Sequence, residues 1–280
     1  RGARSTPRSL HSGRRGRRAA GGDLVKGRLN AIWPPILIGA LFLLAWQALV
    51  VIQDLKPYLL PAPSLIFTTF ISNIALMWST GLYTATTAVL GLILGTAIGI
   101  VLAMVAQRFF VFRNLMIPVA AGIAAVPIVA MTPILNNMFD ITSRTPRVLI
   151  TAIVVFFPIF VNVYRGLTEV PNVQLELLRS LSATPRTVTR VLRIPNALPF
   201  FFTGLKVAAP LAVIAALVAE YFGGPQEGLG SKIAASAANT AYGRAWAYVV
   251  VAIIVGLAFY LLTLLLERVA TPWAGRTRSA

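Results

Sequence analysis

Apolar positions in this chain gather into six long runs, at residues 33–52, 82–106, 115–135, 148–164, 197–219 and 245–266, separated by polar connections. A helix rises about 1.5 Å per residue and the hydrocarbon core of a bilayer is about 30 Å thick, so each run approaches or exceeds the roughly 20 residues that a crossing needs. The pattern predicts an all-α integral membrane protein with about six transmembrane helices.

Two of the connections carry structure of their own. Residues 54–81 combine a Pro-rich turn with an amphipathic piece too interrupted to span, which suits an interfacial position. Residues 220–244 begin with a Gly- and Pro-rich turn, and "SKIAASAANTA" within them predicts a short re-entrant or interfacial helix. In the second run Gly91, Gly95 and Gly99 recur every four residues and share one helix face, where a neighbouring helix can approach closely. The third run holds Pro118, Pro127 and Pro133, which predict a kinked or broken helix beside a neighbour or cavity that satisfies the freed carbonyls.

Composition agrees with the membrane assignment: 57% of residues are hydrophobic and 12% charged, against roughly 25% charged in soluble domains. The formal charge of +17 is unevenly spread, with nine of the 25 basic residues in the first thirty positions and only Asp23 opposing them. This reads as a solvated tail beside anionic membrane lipid, rather than an arm for nucleic acid. With the N-terminus in the cytoplasm, nineteen basic residues fall inside and five outside (Lys56, Arg144, Arg147, Lys232, Arg244). The positive-inside rule then puts both termini in the cytoplasm and the two structured connections outside. The expected organisation is a disordered basic tail over 1–30, a transmembrane domain over 31–270 and a short cytoplasmic tail over 271–280. There is no cysteine, and the single histidine, His11, sits in the tail. Thiolate or His-ligated metal sites and a buried His base are not expected, nor is any cofactor.

Polar groups at membrane depth are costly and therefore informative. Lys206 lies about ten residues into the fifth run, where its stem can snorkel to the cytoplasmic side. Glu220 ends the same run at its outer side. It is expected either to cap the turn, to pair with Lys232 or Arg244, or to meet solute in the pathway. Asn136 and Asn137 offer amide donors and acceptors at the outer end of the third run, as helix caps or as lining of an outer gate.

One cytoplasmic stretch, "ELLRSLSATPRTVTRVLRIP" at 176–195, is more elaborate than a plain connection. Pro171 suits a first helical turn, and Leu175, Leu178 and Leu181 give the short helix that follows an apolar stripe. Thr184 then reads as an N-cap with Pro185 at the first helical position. A second short helix places Val188, Val191 and Leu192 on one side and Arg186, Arg190 and Arg193 on another, with Pro195 expected to end it. Physical chemistry alone leaves two uses open, an interfacial anchor or a docking knob for a soluble partner.

These residues resemble the EAA loop of the permease subunits of binding-protein-dependent ABC importers. There Glu-Ala-Ala, three residues, Gly, nine residues, Ile, one residue and Leu-Pro stand in fixed register. Here Glu176, Leu177, Leu178, Ser182, Leu192, Ile194 and Pro195 occupy that register, departing at both alanines and at the glycine. "LLPAPSLIF", "NALPFFFTGLKVA" and "VAEYFGGPQEGLGSKI" are similar to segments of permeases of the nitrate, sulfonate and taurine group.

The resemblance implies that Glu176, Leu177, Leu178, Arg179, Ser180, Leu181, Ser182, Ala183 and Thr184, with Pro195, contact a dimer of ABC ATPase subunits. It further implies a second permease subunit, such as a second copy of this chain, and an extracytoplasmic solute-binding protein or lipoprotein that delivers the solute. That solute would be nitrate, a sulfonate such as taurine, or a vitamin precursor with a pyrimidine or flavin ring. The chain itself is not expected to be an enzyme. Its nearest approach to a phosphate-binding loop, "GLGSK", interposes Ser231 between Gly230 and Lys232 and lacks the upstream spacing. A secondary transporter would be expected to have more spans and an inverted repeat. A membrane enzyme would be expected to carry clustered His, Cys or acidic residues.

Overall fold

Long apolar runs with few interruptions become helices because a bilayer leaves no other partner for backbone polar groups. The computed structural model describes residues 16–140 and 142–272. The expected tails at 1–15 and 273–280 lie outside the described residues. Two compact units are distinguished, Arg1–Ser64 and Leu65–Ala280.

In the first unit, α1 (Gly16–Ile52) is helical from Gly16 on, where the sequence reading expects a disordered tail through residue 30. Its stretch from Trp33 to Ile52 is long and apolar enough to cross a membrane. Large side chains such as Ile38, Phe42 and Leu44 are exposed on it, as a lipid-facing surface requires. A turn follows in which Asp54 takes a positive φ of 45°, and Gln47 Oε1 accepts a hydrogen bond from the Ser64 amide at 3.1 Å.

The second unit begins within α2 (Pro63–Ser72), which hands over at Asn73 to α3 (Ile74–Arg108). The second span therefore begins at Ile74 and not at residue 82. Gly81 does not break it, because this glycine faces α11 (Tyr242–Ala270), where a Cβ would lie 2.9 Å from Val251 Cγ1.

The third run is not one helix. It divides into α4 (Phe110–Ala124) and α5 (Ile128–Met138), with Pro127 in extended conformation as the N-cap of α5. Pro127 has no N–H to continue the α4 ladder and disfavours helix in the residue before it, so the chain breaks there. Next come α6 (Thr145–Thr168), α7 (Asn172–Ser180), α8 (Pro185–Val188), a π-helical segment (Thr189–Arg193), α9 (Ile194–Tyr221), α10 (Leu229–Ala238) and α11. Five described helical stretches are long and apolar enough to span, with α4 and α5 as the shorter pair.

The core is built around α6, which packs on both α3 and α9. The predicted glycine face of α3 makes this possible: Gly91 meets Thr151, Gly95 meets Ala152 and Val155, and Gly99 meets Ile159, where a Cβ would stand 2.9 Å from Ile159 Cγ2. Partners rise in number together, so α3 and α6 run parallel. Residues 109–144 must then return across the bilayer once, and α4 with α5 supply about 39 Å of helix for it. Between α6 and α9 the order reverses, with Gly166 against Ala197 and Gly204 against Pro158, so these helices are antiparallel. Val155, Ile159, Phe160, Ala208 and Ala212 fill the centre.

Pro195 does not end the second loop helix. Helix runs without interruption from Pro185 to Tyr221. The π-helical turn at Thr189–Arg193 lies immediately before Ile194 and Pro195. It shifts the hydrogen-bond register there, so a residue without an N–H is accommodated.

Lys206 Nζ bonds both carboxylate oxygens of Glu267, in the last turn of α11, at 2.9 Å, a half-buried ion pair.

Candidate functional site

Two places concentrate polar side chains: the loop carrying α7 and α8, and the opposite ends of α3, α6 and α9.

At the first, α6 closes with the Arg165–Glu169 ion pair at 2.9 Å, one helical turn apart. Asn196 Nδ2 donates to the carbonyls of Gly166 at 2.7 Å and Glu169 at 3.1 Å, tying the base of α9 to the end of α6. From this base α7 projects without a single buried residue. Leu175 and Leu178 turn partly inward, but Leu181, expected on the same stripe, is 69% exposed. With Val173 and Leu177 at four-residue spacing it forms an exposed apolar stripe.

The turn after α7 accounts for the glycine of the EAA register. Ser182 has φ of +54°. Its N–H bonds the Arg179 carbonyl at 2.9 Å, and the Ala183 N–H bonds the Leu178 carbonyl at 3.0 Å. This is a Schellman C-cap, whose left-handed residue is most often glycine because a Cβ is strained there. Thr184 caps α8 as expected, its Oγ1 accepting from the Thr187 amide at 3.3 Å. Between this loop and the end of α3 lies a groove of about 950 Å³, bordered by Arg108, Arg179, Arg186, Arg190 and Arg193. Glu176 is exposed and makes no ion pair among the described residues.

At the opposite end, Glu220 is 1% exposed. Its Oε2 accepts from Thr84 Oγ1 at 2.8 Å and from the Gly230 amide at 3.1 Å. Thr84 Oγ1 accepts in turn from the Leu229 amide at 2.9 Å, so one carboxylate holds the start of α10 against α3. The expected pairing of Glu220 with Lys232 or Arg244 is not made among the described residues. Arg147, fully buried, donates instead to the carbonyls of Ser143 at 2.8 Å and Gly223 at 2.6 Å.

The glycines of "EYFGGPQEGLG" are the space around these two charges. Gly224 has φ of +95°, and a Cβ there would run into the Arg147 guanidinium. At Gly228 it would strike the Glu220 carboxylate, and at Gly230 the Leu217 carbonyl.

Asn136 joins this buried group, its Nδ2 lying 3.1 Å from where a Cβ on Gly223 would stand. Its Oδ1 is buried without a hydrogen bond. Neither Asn136 nor Asn137 caps α5, which closes through the Phe139 amide on the Leu135 carbonyl. Asn137 is exposed, apart from the group. Beyond it Asp140 accepts from the amide and hydroxyl of Thr142 at 2.9 and 2.8 Å, which holds its carboxyl below the usual carboxylate range. Arg144 lies over the Tyr83 ring at 3.9 Å, beside a cleft of about 640 Å³ bordered by Gln226 and Glu227.

Sequence reasoning singled out Asn136 and Glu220, which the structure brings together, but not Thr84 or Arg147. Arg147 had a usable signal, as a cation three residues into a spanning helix. Thr84 had none.

The profile of the family described as "Binding-protein-dependent transport system inner membrane component" matches residues 95–274. The formylaminopyrimidine transport permease protein ThiX of Halalkalibacterium halodurans is 36% identical over 177 residues, covering 62% of this chain and 70% of that protein. The riboflavin transport system permease protein RibX of Chloroflexus aurantiacus is 28% identical over 248 residues, covering 86% of this chain and 91% of its own. Among solved structures, that of an amino acid ABC transporter with histidines superposes with a TM-score of 0.59 at 19% identity. It covers 72% of this chain and 97% of the other, a likeness of fold.

Proposed function

Because the chain belongs to the family of binding-protein-dependent transport system inner membrane components, and is a permease subunit of an ABC importer for small solutes, we propose that its α7–α8 loop is the surface on which the ATPase subunits dock. The observation that carries this is the exposed stripe of Val173, Leu177 and Leu181 on a helix with no buried residue. Outside a bilayer, a contiguous apolar patch beside charged side chains marks a protein interface. Leu177 and Leu178 stand where the EAA register has alanines, so the partner groove is more apolar than usual. Ser182 takes the turn and Glu176 the polar anchor, with Arg179, Ser180, Leu181, Ala183 and Thr184 completing the contact and Pro195 at the base of α9.

In this reading both termini and the loop are cytoplasmic, and a second copy of the chain completes the pathway. Residues 31–270 form the permease domain between two cytoplasmic tails. An extracytoplasmic binding protein or lipoprotein delivers the solute at the end marked by Asn136, Asn137 and Glu220. The solute belongs to the range carried by related permeases: nitrate, sulfonates such as taurine, or pyrimidine- and flavin-type vitamin precursors. Similarity to permeases for formylaminopyrimidine and riboflavin supports the latter part of that range.

The test is co-purification with the ATPase together with uptake in the same cells. Glu176→Lys, or Ser182→Trp, should abolish both while the protein remains membrane-inserted. Retained uptake and retained ATPase in the purified complex would overturn the docking assignment.

A further inference from the structure

The α7–α8 loop has a second face. On α7, Leu175 and Arg179 share one side, and Leu177 stands two residues from each, about 160° around the helix. Leu175 and Arg179 border the groove of about 950 Å³ between the loop and the end of α3, whereas Val173, Leu177 and Leu181 are not among its lining residues.

Five guanidinium groups border this groove, those of Arg108, Arg179, Arg186, Arg190 and Arg193, and no acidic side chain does. None of the five is in an ion pair among the described residues, and Glu169, at the close of α6, is committed to Arg165. Arg193 Nε is buried without a hydrogen-bond partner. Like charges around one concavity repel one another, and an anion held by several of them relieves that repulsion. A guanidinium fork matches the paired oxygens of a phosphate.

The rest of the lining is largely apolar, with Met104, Leu167, Val188 and Ile194 among it. Its place along the helices explains why. From Ile74 to Ala106, α3 carries no charged side chain, and Gln107 and Arg108 close it. In α6 no charge follows Arg147 until Arg165. The two helices are parallel, so both leave the hydrocarbon at the same boundary, and the groove lies there. A ligand suited to it carries phosphate for the arginines and hydrocarbon for the apolar lining. A soluble phosphate or an acidic peptide satisfies only the first requirement, whereas basic pockets at the ends of spanning helices receive acidic lipid head groups.

We infer that this groove seats the head group of an anionic phospholipid, so that α7 turns its apolar stripe to one partner and its arginine side to the membrane. The site goes beyond the docking surface and holds for either orientation of the chain.

The permease–ATPase complex, delipidated in neutral detergent, is titrated with phosphatidylglycerol, phosphatidylcholine or glycerol phosphate. Bound lipid is read by native mass spectrometry, and stability by the thermal midpoint. Phosphatidylglycerol should bind and raise the midpoint, and the other two at equal concentration should not. Arg108→Gln combined with Arg190→Gln should weaken phosphatidylglycerol binding about thirtyfold, as loss of two basic side chains at a membrane surface would. Lysine at both positions should recover part of the affinity, and both variants should retain the ATPase. Equal binding of phosphatidylcholine overturns the inference, and so does an equal midpoint shift from glycerol phosphate, which would mark an anion site without a lipid. Unchanged affinity in the glutamine variant overturns it as well. Loss of the ATPase from that variant would assign the groove to acidic side chains of the ATPase instead. If the variant does not insert, the wild-type titration at high salt decides, because a preference for phosphatidylglycerol that salt leaves untouched does not come from the arginines.

Discussion

Ser182 occupies a left-handed position that costs an L-residue roughly 1–2 kcal/mol, partly offset by the entropy that glycine loses on folding. Ser182→Gly should therefore stabilise the protein by about 0.5–1 kcal/mol, read as a higher thermal midpoint in detergent, with uptake retained. At the other end, Arg147→Met leaves the carbonyls of Ser143 and Gly223 without their donors. Losing two charge-assisted bonds should destabilise the fold by about 2–4 kcal/mol, measured by denaturation in detergent. At this scale the sequence is legible where a residue's role is local. Thr184 can be read as a cap because its partner is three residues away. Glu220 cannot be read fully, because its partners Thr84 and Gly230 reach it only through tertiary structure. Lys232 and Arg244 lie near it in sequence, yet neither forms an ion pair with it among the described residues.

Among elements, the glycine face of α3 was legible because its period is that of the helix, and the structure seats α6 on it. The start of α3 was not: the amphipathic stretch before residue 82 reads as an interfacial piece, whereas its part from Ile74 on forms the first turns of the span. Lys206 and Glu267, 61 residues apart, are likewise joined only by the antiparallel packing of α9 and α11. The pair is largely shielded, with about a quarter of each side chain exposed. Removing one partner strands the other charge, whereas removing both does not. Lys206→Met and Glu267→Gln should each lower the thermal midpoint more than the double variant does, and additive losses in that cycle would overturn the coupling.

At the scale of the whole molecule, the direction of insertion comes from charge distribution and not from the fold, which is the same in either orientation. The chain contains no cysteine, so single cysteines can report it cleanly. With a membrane-impermeant maleimide, Gln226→Cys should label in intact cells and Ser180→Cys only after permeabilisation, and the reverse would invert the topology. The uninterrupted helix from Pro185 to Tyr221 has a mechanical consequence. Its 37 residues make a rod about 55 Å long, so a tilt of about 5° pivoting at the loop end sweeps the far end through about 5 Å. Glu220 rides on that end, held to Thr84 and Gly230 by bonds of 2.8 and 3.1 Å that no such sweep would leave intact. Either the π-helical segment absorbs the bend as a compliant joint, or α3 and α10 are carried along with α9 as one block.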